Sequence, residues 1–132
     1  MLKRRIFQKG KTKDLSLTEI GFGTAPLGNL YKAISDSDAS STLEAAWDLG
    51  VRYYDTAPLY GLGLSETRLN RFLRTKPRNE YVLSTKVGRL MEPCSEAERT
   101  GHGKWFDVPL RREVYDLSLI QSDAADEVDG VG

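Results

Sequence analysis

Apolar residues recur along this chain in two rhythms, a short alternation and a helical spacing, and the two take turns. Ile6 and Phe7 precede Gly10, and Leu15 and Leu17 follow it, which predicts a solvated β-hairpin with two short arms. Thr18-Glu19-Ile20-Gly21-Phe22-Gly23-Thr24 alternates and carries β-branched and aromatic residues, so it predicts a strand. Its glycines permit close approach of a neighbouring element or a ligand. Ser35-Asp36-Ser37-Asp38 then supplies helix N-cap residues, with Ser35 and Asp38 spaced as a capping box. Ala39, Leu43, Ala46 and Trp47 follow on one helical face, and Gly50 stands where a left-handed residue would end the helix. Trp47 reads as a core residue.

The rhythm changes again at Val51-Arg52-Tyr53-Tyr54, a β-branched and aromatic run that predicts a strand with Asp55 at its C-terminal end. Thr56-Ala57-Pro58 stops it, because Pro58 has no N–H to donate to a sheet. Tyr60 follows in the loop. Gly61-Leu62-Gly63-Leu64-Ser65-Glu66 has glycines spaced like a phosphate loop but lacks the Gly-Lys-Ser/Thr ending. It reads instead as a tight helix entry, with Ser65 as the cap and Glu66 favoured by the helix dipole. Leu69, Phe72 and Leu73 form that helix's inner face, Pro77 ends the segment, and Tyr81-Val82-Leu83-Ser84-Thr85-Lys86-Val87 predicts the next strand.

Strand, helix, strand, helix, strand implies an α/β chain with a parallel sheet and right-handed crossovers. A doubly wound sheet and a (β/α)8 barrel both fit, and both collect chemistry at the C-terminal strand ends. Residues 88–109 show no sustained period and read as a long loop, with Trp105 and Phe106 as isolated aromatics. His102 lies between Gly101 and Gly103, which do not provide the fixed orientation that a catalytic base needs. Asp123, Asp126, Glu127 and Asp129 leave an acidic tail without a base, and residues 117–132 are expected to be disordered, with Leu117 and Ile120 hinting at one helical turn.

Composition narrows the function. Nineteen basic and nineteen acidic residues cancel, so no global field draws the 132-residue chain to nucleic acid or membrane. The basic stretch from Lys3 to Lys13 reads as part of the solvated hairpin rather than a phosphate or nucleic-acid site. Cys94 is alone, which excludes an internal disulfide and a multi-cysteine metal site, and no metal is expected. Met1-Leu2-Lys3-Arg4-Arg5 leads into no apolar run, so neither a signal peptide nor a membrane span is expected, and the cytoplasm is the expected location.

A carboxylate (Asp55), a phenol (Tyr60) and an amine (Lys86) thus fall at one end of the expected sheet, an arrangement suited to proton transfer. A phenol with its ordinary pKa of about 10 donates well at neutral pH but accepts poorly. An adjacent ammonium favours the phenolate, and a carboxylate beside a buried lysine keeps that lysine charged. The reaction this suits is protonation of a carbonyl oxygen as hydride reaches carbon, or the reverse. The bland alternative stays open: Asp55 as a turn former, Tyr60 capping a core, Lys86 on the surface.

Gly21-Phe22-Gly23-Thr24-Ala25-Pro26-Leu27-Gly28, then Asp55-Thr56-Ala57-Pro58-Leu59-Tyr60-Gly61-Leu62-Gly63-Leu64-Ser65-Glu66, then Leu83-Ser84-Thr85-Lys86-Val87-Gly88, resemble the aldo-keto reductases over roughly residues 3–116. The Asp-Thr-Ala-Pro form and the long loop with Trp105 resemble the branch containing D-threo-aldose (L-fucose, galactose) dehydrogenases and pyridoxal dehydrogenase. The resemblance implies the N-terminal part of a (β/α)8 barrel closed at its bottom by the hairpin. It implies NADP or NAD as cofactor and a small carbonyl or sugar as substrate. By resemblance Tyr60 is the general acid or base, Asp55 and Lys86 tune it, and Gly23, Thr24 and Asp55 lie near the nicotinamide.

Two departures accompany it. The family's catalytic histidine, which ends the next strand in a Leu-Ile-His-Asp setting, has no counterpart, and no strand leads into His102. Residues 117–132 also leave the family pattern, and a barrel of this kind takes ~250 residues. About three strand-helix units leave open strand edges, so a truncated product is expected, with a shifted reading frame after Asp116 as one origin. The competing expectation is an inactive fragment or a non-catalytic binding subunit of the same fold. A short-chain dehydrogenase is excluded because it needs Tyr and Lys four apart on one helix.

Overall fold

The structure is a computed structural model that describes residues 1–8, 10, 13–99, 103–116 and 118. His102, Leu117, Ile120 and the acidic tail, each assigned a reading above, lie outside the described residues.

Strands β1 (Arg4–Phe7) and β2 (Leu15–Thr18) pair antiparallel, with Ile6 opposite Ser16 and Phe7 opposite Leu15. Strands β3 (Phe22–Gly23), β4 (Tyr53–Asp55) and β5 (Val82–Ser84) form a parallel sheet in the order β3-β4-β5. The expected continuous strand over residues 18–24 is therefore two pieces. Thr18 closes β2, its hydroxyl donates to the Ile20 carbonyl, and the chain turns before β3 begins.

Helix α1 (Asp36–Asp48) links β3 to β4, and helix α2 (Leu64–Leu73) links β4 to β5. Ser35 caps α1, its hydroxyl accepting from the Asp38 N–H at 3.0 Å. Gly50 (φ +95°) ends it: the Gly50 and Val51 N–H groups donate back to the Trp47 and Ala46 carbonyls, the paired bonds of a Schellman motif. Leu27, Ala39, Leu43, Val51, Tyr54, Leu69, Phe72 and Leu73 make the core between sheet and helices. Trp47 packs edge-on against Phe72 and Tyr81, as a core residue should.

Side chains alternate across a strand, so Tyr54 enters the core while Tyr53 and Asp55 project from the opposite face. Gly23, Asp55 and Ser84 lie in one cross-strand row at the C-terminal edge of the sheet. That row founds the site.

The segment expected as a structureless loop is structured. Strands β6 (Arg89–Pro93) and β7 (Arg111–Tyr115) pair antiparallel, and a 3-10 turn over Glu96–Glu98 carries a reciprocal capping box with Ser95. Ion pairs Arg89–Glu113 and Glu92–Arg112 lace the two strands together. No helix among the described residues is long and apolar enough to cross a membrane.

Candidate functional site

Asp55 ends β4 and is held from both of its ends. Its carbonyl oxygen accepts the Thr24 N–H at 3.0 Å and the Thr24 hydroxyl at 2.9 Å. Its carboxylate accepts the Ser84 hydroxyl at 2.6 Å and the Lys86 ammonium at 3.0 Å. The Ser84 hydrogen bond is the chief reason that the Asp55 carboxyl sits below its ordinary range, with Lys86 adding to it. Lys86 in turn is held above its ordinary value, first by its hydrogen bond to Asp55 and further by the nearby Tyr60. Its ammonium also donates to the Thr56 carbonyl at 3.1 Å.

Tyr60 lies in the turn that leads into α2. Its N–H donates to the Ala57 carbonyl and its carbonyl accepts from the Ser65 N–H, which fixes its backbone at both ends. The Lys86 Nζ lies 5.0 Å from the centroid of its ring. Asp55, Lys86 and Tyr60 are therefore gathered at the C-terminal end of the sheet, on the row that strand pairing defines. Tyr60 and Lys86 line a cleft of about 320 Å³ together with Ala57, Pro58, Leu59, Val87 and Arg89. Lys86 is not the buried lysine expected. Its side chain is 51% exposed and that of Asp55 38%, so hydrogen bonding rather than desolvation sets both charges.

The two remaining candidates separate. Gly23 is exposed beside Asp55, with nothing within 4 Å of where a Cβ would stand, so a flat ligand could lie against it. Thr24 offers a ligand no surface: it is fully buried, and its hydroxyl both donates to Asp55 and lies 2.8 Å from the Ser65 Oγ. Its part is to hold the end of β4.

Ser65 corrects a further reading. Gly63, in a left-handed conformation, stands at the N-cap of α2, and Ser65 sits inside the helix, its hydroxyl within reach of the Thr24 carbonyl and Oγ1. Glu66 is pushed up by burial. Among the described residues no cluster of His, Cys, Asp and Glu could hold a metal ion.

Sequence reasoning missed Ser84 as a site residue. Ser84 could have been found from the strand register, since a residue beside Asp55 on β5 must face the same way. Trp105 stands in the sequence as an isolated aromatic and as part of the family resemblance, with no role assigned to it, and its ring lies 6.0 Å from that of Tyr60.

The sequence model described as the aldo/keto reductase family matches residues 19–121, running past Asp116. D-threo-aldose 1-dehydrogenase of Pseudomonas sp is 56% identical over 103 residues, which is 75% of this chain and 31% of that protein. Pyridoxal 4-dehydrogenase of Microbacterium luteolum is 45% identical over 117 residues, 83% of this chain and 34% of that one. Among solved structures, an aldo-keto reductase from Bacillus halodurans in its holo form superposes with a TM-score of 0.62 at 29% identity, covering 95% of this chain and 34% of that chain. The chain thus spans about a third of the length of the curated relatives it matches. With a family match over most of its residues, and an acid, a phenol and an amine gathered at the strand ends, the chain belongs to the aldo/keto reductase family.

Proposed function

We propose that these residues form part of an NAD(P)-dependent oxidoreductase that moves hydride between a nicotinamide and a small aldehyde, sugar or alcohol. The observation that carries this reading is the Asp55–Lys86 pair at 3.0 Å with Tyr60 beside the same ammonium. The names of the matched relatives, D-threo-aldose 1-dehydrogenase and pyridoxal 4-dehydrogenase, point the same way. The fold proposed for the whole is a (β/α)8 barrel, of which β3, β4 and β5 are the first three strands and the β1–β2 pair the bottom cover.

In this reading Tyr60 is the general acid in carbonyl reduction and the general base in alcohol oxidation. The nicotinamide, when bound, supplies or accepts the hydride. Tyr60 passes its phenolic proton to the substrate oxygen, with the Lys86 ammonium against its ring. Asp55 keeps Lys86 charged and in place, and Ser84 orients the Asp55 carboxylate. Gly23 leaves a clear surface beside Asp55 for a planar ring, which is where the nicotinamide would rest. Thr24, buried, supports that surface from beneath through its bonds to the Asp55 carbonyl.

A second reading is favoured by the half-exposed Lys86: with one side of the cluster open to water, these 132 residues by themselves are an inert fragment or a non-catalytic binding subunit. Titrating the chain with NADPH, followed by cofactor fluorescence and by turnover of a small aldose, separates the two. Binding with turnover that is lost in Tyr60→Phe supports the enzyme. No binding at millimolar NADPH supports the second reading for this chain.

A further inference from the structure

Residues 103–107 reach across the molecule and dock on the loop that follows β3. The Tyr31 N–H donates to the Lys104 carbonyl at 2.8 Å, the Phe106 N–H donates to the Asn29 carbonyl at 3.1 Å, and Leu30 and Trp105 form an antiparallel bridge between them. The seat beneath is a closed polar network. Asn29 is buried; its amide donates to the Asp107 carbonyl at 3.3 Å, and its Oδ1 accepts from the Arg68 guanidinium at 2.9 Å and the Ile34 N–H at 3.1 Å. Arg68, also buried, spends its other N–H groups on the Leu27 and Ile34 carbonyls and on Asp36.

Asn29, Tyr31 and Asp107 all hold left-handed backbones, with φ of 62°, 61° and 48°. Residues with a Cβ keep such conformations where the surroundings over-determine them. Strain on both sides of the contact, over a network with each Asn29 polar group satisfied, marks the position of Trp105 as specified rather than incidental. What it specifies is the ring of Tyr60, whose centroid lies 6.0 Å away at an interplanar angle of 37°. The backbone of Tyr60 is already fixed, so rotation of its side chain is the freedom that remains. The indole and the Lys86 ammonium both lie against that ring.

We propose that Trp105 is a positioning residue for Tyr60, seated by the Asn29–Arg68 pair, and that it holds the phenol in the orientation that keeps it beside Lys86. This deepens the reading of Tyr60 as acid and base, and rests on that reading for its catalytic meaning.

The test is NMR of the full chain labelled with ring-13C tyrosine, the Tyr60 signals being assigned by their loss in Tyr60→Phe. Ring-current shielding by the tilted indole beside it is expected to displace the Tyr60 ring signals upfield. Trp105→Ala should abolish that displacement, Trp105→Phe should keep part of it, and the Tyr54 signals from the core should stay put in both. Asn29→Gly, which tolerates the left-handed backbone and deletes only the side chain, should reproduce the Trp105→Ala loss with the indole still present. If Asn29→Gly unfolds, the χ1 preference of Tyr60 in Trp105→Ala, read from its Hα–Hβ couplings, decides: a preference unchanged from the parent overturns the proposal. Tyr60 signals unmoved by Trp105→Ala overturn the proposal. The readout needs neither cofactor nor turnover, so a chain that fails to bind NADPH still decides it. Conversely, a chain that turns over in Trp105→Ala with unchanged rate and pH profile overturns the positioning role and leaves the proposed function standing.

Discussion

Gly28 and Gly61 meet backbone to backbone: a Cβ on Gly28 would lie 2.5 Å from the carbonyl carbon of Tyr60, and one on Gly61 would lie 2.5 Å from the Gly28 carbonyl oxygen. The loop after β3 and the loop that carries Tyr60 are thus pressed together where neither can hold a side chain. Backbone on both sides leaves nothing flexible to give way. Gly28→Ala is expected to destabilise by about 1–3 kcal/mol through overpacking. Gly61→Ala should cost more, because φ of +65° adds a conformational penalty of about 1–2 kcal/mol. Gly23→Ala meets open space and should stay within about 0.5 kcal/mol of the parent. Urea unfolding of the three variants checks the order, and equal midpoints for Gly23→Ala and Gly28→Ala would contradict the close approach.

The Asp55 carboxylate answers to two partners of different kinds. Ser84 reaches it with a short hydrogen bond within the sheet row, whereas the Lys86 ammonium is half in solvent and screened by it. Ser84→Ala should therefore raise the Asp55 titration point more than Lys86→Met does, as read by 13C-carboxyl NMR. The stability linkage has opposite signs for the two groups. The lowered Asp55 value contributes stability above the unfolded carboxyl pKa of about 3.9, lost as pH falls through the folded value. The raised Lys86 value contributes stability fully present below about pH 10.4, lost as pH rises through its folded value. Ser84→Ala should weaken the acid-side dependence and leave the alkaline side largely intact.

Local signals carried the parts of the fold that local chemistry decides. Ser35 and Gly50 bound α1 because a hydroxyl cap and a left-handed glycine act within one turn of themselves. The cluster of Asp55, Tyr60 and Lys86 was legible because parallel strands deliver their C-terminal ends to one edge. The β6–β7 pair was not: its strands are well separated in sequence, and with one face of β6 exposed and the other only half-buried, Arg89, Leu90, Met91, Glu92 and Pro93 show no apolar alternation. Ser65 was misread because a serine after glycines looks like a cap, while its actual partner, Thr24, lies on another element. Nothing in the sequence marks Arg68, and only the tertiary arrangement of Leu27, Asn29 and Ile34 makes it a buried hub.

Tyr54 should govern part of the alkaline limit of the fold. It is fully buried, its hydroxyl donates to the Val51 carbonyl at 3.2 Å, and burial pushes its pKa up to about 12. Between the unfolded value of about 10 and the folded value the unfolded chain gives up a proton that the folded chain keeps, so stability falls over that window. Tyr54→Phe removes the hydrogen bond and leaves the Val51 carbonyl without it, at an expected cost of about 1 kcal/mol at neutral pH. It should also flatten the decline between pH 10 and 12. Chemical denaturation at pH 7 and across the alkaline range checks both, and an equally steep decline in the variant would remove Tyr54 from the account.

Arg68 is expected to tolerate no replacement, not even lysine. Its guanidinium donates in three directions at once, to the Leu27 carbonyl and Asn29, to the Ile34 carbonyl, and to Asp36, and it is only 8% exposed. A lysine ammonium is a single point and cannot reach those acceptors together. Arg68→Lys would leave buried acceptors unpaired, and the cost of removing one partner from such a network is about 3–5 kcal/mol. Asp36 is different: its side chain is 65% exposed and shared with Arg71, so losing its charge sacrifices little that water does not already screen. Asp36→Asn should then cost less than about 1 kcal/mol, although Arg68 is what draws the Asp36 carboxyl below its ordinary value. Urea midpoints that fall steeply for Arg68→Lys and barely for Asp36→Asn would place the weight of the network on its buried carbonyls. Similar losses from both variants would place it on the ion pair instead.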